Sequence, residues 1–179
     1  MTTPAADLLL NREIGLIEFN RRVLAQAEDP AVPLLERLRF LCIVSSNLDE
    51  LFEVRVAWLR EEAALRPERV LPDGITPRQA LARLSDAAHA LVTRQYALMK
   101  EMVFPALEKE GIVFIRRNDW SDELRAWIRQ YFFKEVMPIL TPIGLDPSHP
   151  FPKLLNKSLN FAIELEGKDA FGRNSGIAI

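Results

Sequence analysis

A mainly α fold, a helical bundle followed by the opening of an α/β unit, is predicted by three observations. Apolar residues recur at steps of three and four through most of residues 14–102, the period of helices that bury one face. Proline-rich breaks interrupt that period at residues 29–33 and 66–77, where missing N–H groups and fixed φ angles stop a helix. After Gly111 the pattern changes to short β-branched and aromatic runs between turn residues. At 179 residues, 49% hydrophobic and 27% charged, the chain reads as a folded protein of one ordinary domain or two small ones.

Residues 1 to about 10 read as a loose lead-in, and Asn11 or a neighbour starts the first element. From Ile14 to Ala27 the positions Ile14, Ile17, Val23, Leu24 and Ala27 form one stripe, opposite Glu18, Arg21 and Arg22. Pro30 and Pro33 close that helix, and Pro33 suits the first turn of the next, which runs to about Ser46. A further helix continues to about Leu65, and residues 66–77 form a loop with three prolines and a glycine. Thr76-Pro77 reads as an N-cap followed by proline at the first helical position. The helix it opens has a seam of Leu81, Leu84, Ala88, Leu91, Gln95, Leu98 and Met102, spaced for near-antiparallel packing. Pro105 kinks or ends it, with room for one more turn before Gly111. Beyond lie a strand at Ile112 to Ile115, a helix at Ser121 to Glu135 capped by Ser121, strand and turn at Val136 to Leu145, and a strand at Ser158 to Glu166. The terminal GIAI is an apolar run without a stop signal, which suggests an incomplete sheet.

The stretch that an all-core bundle does not explain is Ser45-Ser46-Asn47-Leu48-Asp49-Glu50, set between the apolar runs Leu34 to Val44 and Leu51 to Leu59. It either breaks one helix or lies on a face meant for something polar. Asn47 to Glu50 has the layout of a capping box, Asn as N-cap and Glu at the third helical position. Alternatively, Asn47 contacts a ligand: a carboxamide carries both a donor and an acceptor and can pair two-pronged with an adenine edge. The bias of such residues toward caps favours the first reading.

The other chemistry-bearing residues point to no reaction. The sequence contains no glycine-rich phosphate loop, no metal-spaced Cys or His cluster and no Gly-x-Ser-x-Gly elbow. No catalytic residue and no metal ligand is therefore assigned within the chain. His89 flanks the long seam, and His149 stands in a proline loop without a carboxylate or cysteine to relay a proton. The groups Arg21-Arg22, Arg37/Arg39, Arg55/Arg60 and Arg116-Arg117 read as solvated helix faces with ion-pair partners such as Glu36 and Glu53. Trp58, Trp120 and Trp127 read as core or interface. Cys42, the one cysteine, reads as a small core residue. A net charge of −2 argues against holding a polyanion by basicity alone and against a nucleic-acid partner. The N-terminus has no basic leader, and no run approaches the roughly 18 apolar residues of a membrane span, so a cytoplasmic location is expected.

The sequence resembles the N-terminal part of bacterial polyphosphate kinase. The similarity is carried by Asn11 to Ile14 with Glu18 to Leu24, by Pro33 to Leu41, by Ser45 to Leu51 with Val54-Arg55-Val56, and by Leu140-Thr141-Pro142 through His149 to Pro152. Where the family usually has Leu-Ser-Trp-Leu, this chain has Ile14-Gly15-Leu16-Ile17. The resemblance implies a helical domain over about 1–108 whose surface contacts the adenine end of ATP, then the start of an α/β head domain over 109–179, truncated here. It places the family's ATP-contacting asparagine on Asn47. It also implies reversible transfer of the terminal phosphate of ATP to inorganic polyphosphate, with ATP/ADP and polyphosphate as partners and homo-oligomers formed through the head domain. Mg2+, the phosphate-accepting histidine and the phosphate-binding arginines would belong to domains beyond this chain, so this portion alone is expected to be inactive. The contrasting expectation, from the residues alone, is a non-catalytic helical protein-interaction module in which residues 45–50 only cap a helix.

Overall fold

A computed structural model of the protein describes residues 9–145, 150–168 and 177–178. The sequence expectations for the first eight residues and for His149 fall outside the described residues. The chain divides into two compact units, Met1–Phe114 and Ile115–Ile179.

In the first unit, α1 (Arg12–Glu28) starts where Asn11 Oδ1 accepts from the Ile14 N–H at 3.0 Å, while Asn11 Nδ2 donates to Asp73 Oδ2 at 2.6 Å. One side chain thus caps the helix and ties it to the loop before the long helix. After the Asp29-Pro30 break, α2 (Leu34–Glu50) buries Arg37, Leu41, Val44 and Leu48, one line along its surface. Arg37 was expected on a solvated face. Its place on that line instead turns it toward the end of α1, where its Nε donates to the Ala27 carbonyl at 2.7 Å, one of the acceptors a helix terminus leaves over. Cys42, expected in the core, is exposed because it sits one step off the same line.

α2 continues without a break through a π-helical turn, Leu51–Val56, into α3 (Ala57–Leu65). α4 (Pro77–Leu98) opens with a complete capping box: Thr76 Oγ1 accepts from the Gln79 N–H at 3.3 Å, and Gln79 Oε1 accepts from the Thr76 N–H at 2.9 Å. The predicted seam is buried at Leu84, Ala88, Leu91, Gln95 and Leu98, but Val103 replaces Met102 at its end. A second π-helical turn, Met99–Val103, holds an extra residue and moves the register by one. The same wide turn lets Pro105 sit in the first turn of α5 (Phe104–Lys109), since Phe104 N–H reaches back to the Met99 carbonyl. α1 packs on α2 and α4, and α3 packs on α4. Ile17, Leu24, Val44, Leu59, Leu84 and Leu107 belong to the shared core.

The strand expected at Ile112 to Ile115 does not form. Gly111, at φ 80°, and Ile112 close α5, their N–H groups donating to the Glu108 and Leu107 carbonyls at 3.0 and 2.9 Å, a Schellman closure. Phe114 then stacks on Phe104 with ring centroids 4.7 Å apart.

In the second unit, Ser121 Oγ caps α6 (Asp122–Tyr131) by accepting from the Leu124 N–H at 3.2 Å. A π-helical turn, Phe132–Val136, and a 3-10 turn, Met137–Ile139, follow. The first part of the span expected as strand and turn at Val136 to Leu145 is therefore helical, up to Ile139, because Pro138 fits a first helical turn, and only Gly144–Leu145 at its end is strand. Three two-residue strands, β1 (Gly144–Leu145), β2 (Ile163–Glu164) and β3 (Ile177–Ala178), pair antiparallel in the order β1-β3-β2. β2 covers only two residues in the second half of the strand expected at Ser158 to Glu166. The chain is mainly α, as its periodicity predicts.

Candidate functional site

Asn47 stands in the last turn of α2, and the helix does not stop there. Glu50 and Leu51 keep right-handed helical angles, and the Leu51 N–H donates to the Asn47 carbonyl. The capping reading of Asn47 to Glu50 is therefore corrected: the backbone groups a cap would serve are already bonded within the helix. The carboxamide is free for tertiary use. Its Nδ2 donates to Asn20 Oδ1 on α1 at 2.9 Å, and Asn20 Nδ2 donates to the Leu16 carbonyl at 3.1 Å.

These two bonds fix both amides. A carbonyl can only accept, so Asn20 must turn its NH2 group to Leu16 and its oxygen to Asn47, and Asn47 must answer with its own NH2 group. Asn47 keeps Oδ1 and one N–H, with no partner for that oxygen among the described residues. Asn20 is 2% exposed and Asn47 half-buried. The neighbouring polar residue Ser45 is committed elsewhere: Gln95 Nε2, on α4, donates to Ser45 Oγ and to the Leu41 carbonyl, each at 2.8 Å. Residues 45–50 thus tie α2 to α4 through Ser45, to α1 through Asn47 and to the core through Leu48.

The pair of amides lines a cleft of about 250 Å³ between α1 and the junction of α2 with its π-helical turn. Leu16, Phe19, Leu51 and Val54 give it apolar walls, and Arg12, Glu50 and Arg55 its charges. That volume lies below the roughly 300–1,000 Å³ of complete small-molecule pockets, so it suits one end of a ligand. A larger cleft of about 410 Å³ beside Trp58 and Asp73 shares Arg12 and Arg55 with it. Trp58 is exposed rather than part of the core.

Among the described residues, five arginines of the first unit are held in ion pairs. Arg21 pairs with Glu18 at 3.5 Å, Arg39 with Glu36 at 3.7 Å, Arg66 and Arg69 with the buried Glu62 at 3.4 and 2.7 Å, and Arg94 with Glu28 at 2.7 Å. The hydrogen bond from Arg94 to Glu28, and then the charge of that carboxylate, push the Arg94 pKa above its ordinary value. Arg12 and Arg55 make no ion pair among the described residues. Both border the amide cleft.

Asn20 and Arg12 escaped the sequence reading. Asn20 had a signal: it falls in line with Ile17, Leu24 and Ala27, a polar residue on a buried stripe. His89 is an exposed flank residue whose Nδ1 donates to the Ser85 carbonyl at 2.7 Å. Among the described residues no three His, Cys, Asp or Glu side chains converge as metal ligands. No helix among them is long and apolar enough to cross a membrane.

Fold and cleft together define a mainly α protein of two units, the first carrying an oriented amide at the end of a small, partly apolar cleft. The family model for the polyphosphate kinase N-terminal domain matches residues 9–115, and that for the polyphosphate kinase middle domain matches residues 123–179. The chain belongs to the polyphosphate kinase family. It is 60% identical over 176 residues to a polyphosphate kinase of Neisseria meningitidis serogroup C, covering 98% of this chain and 26% of the relative. It is 58% identical over 171 residues to that of Burkholderia cenocepacia, covering 96% and 25%. The crystal structure of polyphosphate kinase from Porphyromonas gingivalis superposes with a TM-score of 0.61 at 28% identity, covering 93% of this chain and 24% of that one. The chain thus spans about a quarter of the length of the relatives it matches.

Proposed function

We propose that the whole protein is a phosphotransferase that reversibly moves the terminal phosphate of ATP onto inorganic polyphosphate, and that this chain supplies the contact to the adenine end through Asn47. The observation that carries the reading is the orientation of that amide. With Asn20 holding its NH2 group, Asn47 offers an acceptor beside a donor. Adenine presents the complement, the N6 amino group beside a ring nitrogen. Leu16, Phe19 and Val54 line the same cleft and suit the faces of a base.

Arg12 and Arg55 add positive charge to that cleft, on the side we assign to ribose and phosphate. Phosphoryl transfer depends on cations placed around the transferred group and on reactants held in line. This chain's part is the second: it fixes one end of the nucleotide. The transferring histidine, the magnesium ion and the polyphosphate path belong, in this reading, to domains beyond the chain, in a cytoplasmic homo-oligomer joined through the head domain.

Asn47→Ala in the whole protein tests the assignment. Loss of one or two neutral hydrogen bonds should raise the KM for ATP about 5- to 30-fold with kcat little changed. A folded variant with wild-type kinetics would return Asn47 to a purely structural role.

A further inference from the structure

We infer that Asn20 is a positioning residue that sets the base preference of the site by locking the Asn47 amide in one of its two orientations. The inference rests on the adenine reading of Asn47. A carboxamide turned by 180° exchanges its acceptor and donor with little change of shape. In the observed orientation, Oδ1 of Asn47 accepts from an exocyclic amino group, and the adjacent N–H meets a ring nitrogen acceptor. Guanine presents the reverse, a carbonyl O6 beside a protonated ring nitrogen, so it would set oxygen against oxygen and N–H against N–H. The flipped amide would accept guanine.

The structure opposes the flip through a buried relay. Turning Asn47 over would bring its oxygen against Asn20 Oδ1, now 2.9 Å from Nδ2. Asn20 cannot adjust by turning too, because its own oxygen would then face the Leu16 carbonyl, 3.1 Å from its Nδ2. Asn20 is 2% exposed, so water is not at hand to repair either mismatch. A backbone carbonyl of α1 thereby dictates which edge of a base α2 reads. Asn20 itself touches no nucleotide in this account.

The test is steady-state phosphate transfer by the whole protein with ATP and with GTP. Asn20→Leu puts an apolar side chain of similar size in place of the amide and removes the lock. It should raise the KM for ATP about 3- to 10-fold, leave kcat nearly unchanged, and narrow the ATP-over-GTP preference in kcat/KM about 5- to 20-fold, the range one base-reading amide supplies. Asn20→Asp, which in its protonated form can still donate to Leu16 and accept from Asn47, should keep most of the preference. In an Asn47→Ala background, Asn20→Leu should change neither KM nor preference further.

An Asn20→Leu protein that keeps the wild-type preference while Asn47→Ala loses it would overturn the role of Asn20 and leave that of Asn47 standing. If Asn47→Ala has no kinetic effect, the adenine reading itself fails, and the inference with it. If Asn20→Leu does not fold, Asn20→Asp decides: a preference lost to the same extent as in Asn47→Ala contradicts the lock, and a preference retained supports it.

Discussion

Asn20 and Asn47 are both placed where an asparagine is a poor choice for the helix alone, by up to about 0.7 kcal/mol each relative to alanine. Their mutual bond makes the choice intelligible. Removing one member leaves the other buried or half-buried without its partner, which costs about 1–3 kcal/mol, whereas removing both with apolar groups costs much less. Asn47→Ala should therefore destabilise residues 1–114 by about 1–3 kcal/mol in urea unfolding, and should cost markedly less in an Asn20→Leu background. Additive losses would show that the amides do not act as a pair. Asn47 was legible in the sequence as an odd polar residue between apolar runs, but its pairing with Asn20 was not, because Asn20 lies 27 positions away. Ser45 and Gln95, 50 positions apart, were hidden in the same way. Local layout could propose a cap; only the packed bundle shows the backbone already satisfied.

Among the elements, those defined by short-range chemistry were the readable ones. The Thr76-Pro77 start, the Asp29-Pro30 stop and the Ser121 cap each need only neighbours in sequence, and each forms as expected. The π-helical turns do not follow from a period of 3.6, since an extra residue in one turn leaves no composition signal. Their effect is a shift of face. Val103 is fully buried and Met102 is 43% exposed, so Val103→Ala should cost about 1–3 kcal/mol and Met102→Ala under about 1 kcal/mol by thermal or urea unfolding. The reverse ranking would restore the uninterrupted seam through Met102 and remove the turn at Met99–Val103. Ile112 to Ile115 shows the opposite failure: a run with strand composition finds no partner strand, because its first N–H closes α5.

For the molecule as a whole, the two units differ in kind. Residues up to Phe114 hold all the buried side chains among the described residues, whereas Trp127, Tyr131 and Phe133 of the second unit stay exposed. Exposed aromatic surface of that extent normally has a partner. We expect residues 1–114, expressed alone, to unfold cooperatively and resist proteolysis, and residues 115–179 alone to be readily cleaved and to bind a hydrophobic dye. A protease-resistant, dye-free second piece would mean that its own residues supply a core. The central claim, that α1 and α2 of this chain meet the adenine end of ATP, is tested most directly by a crystal structure of the whole protein with a non-hydrolysable ATP analogue. The account predicts the adenine N6 group at about 3 Å from Asn47 Oδ1, with the Asn47 to Asn20 bond intact. An adenine ring bound outside this cleft, with Asn47 untouched, would contradict it.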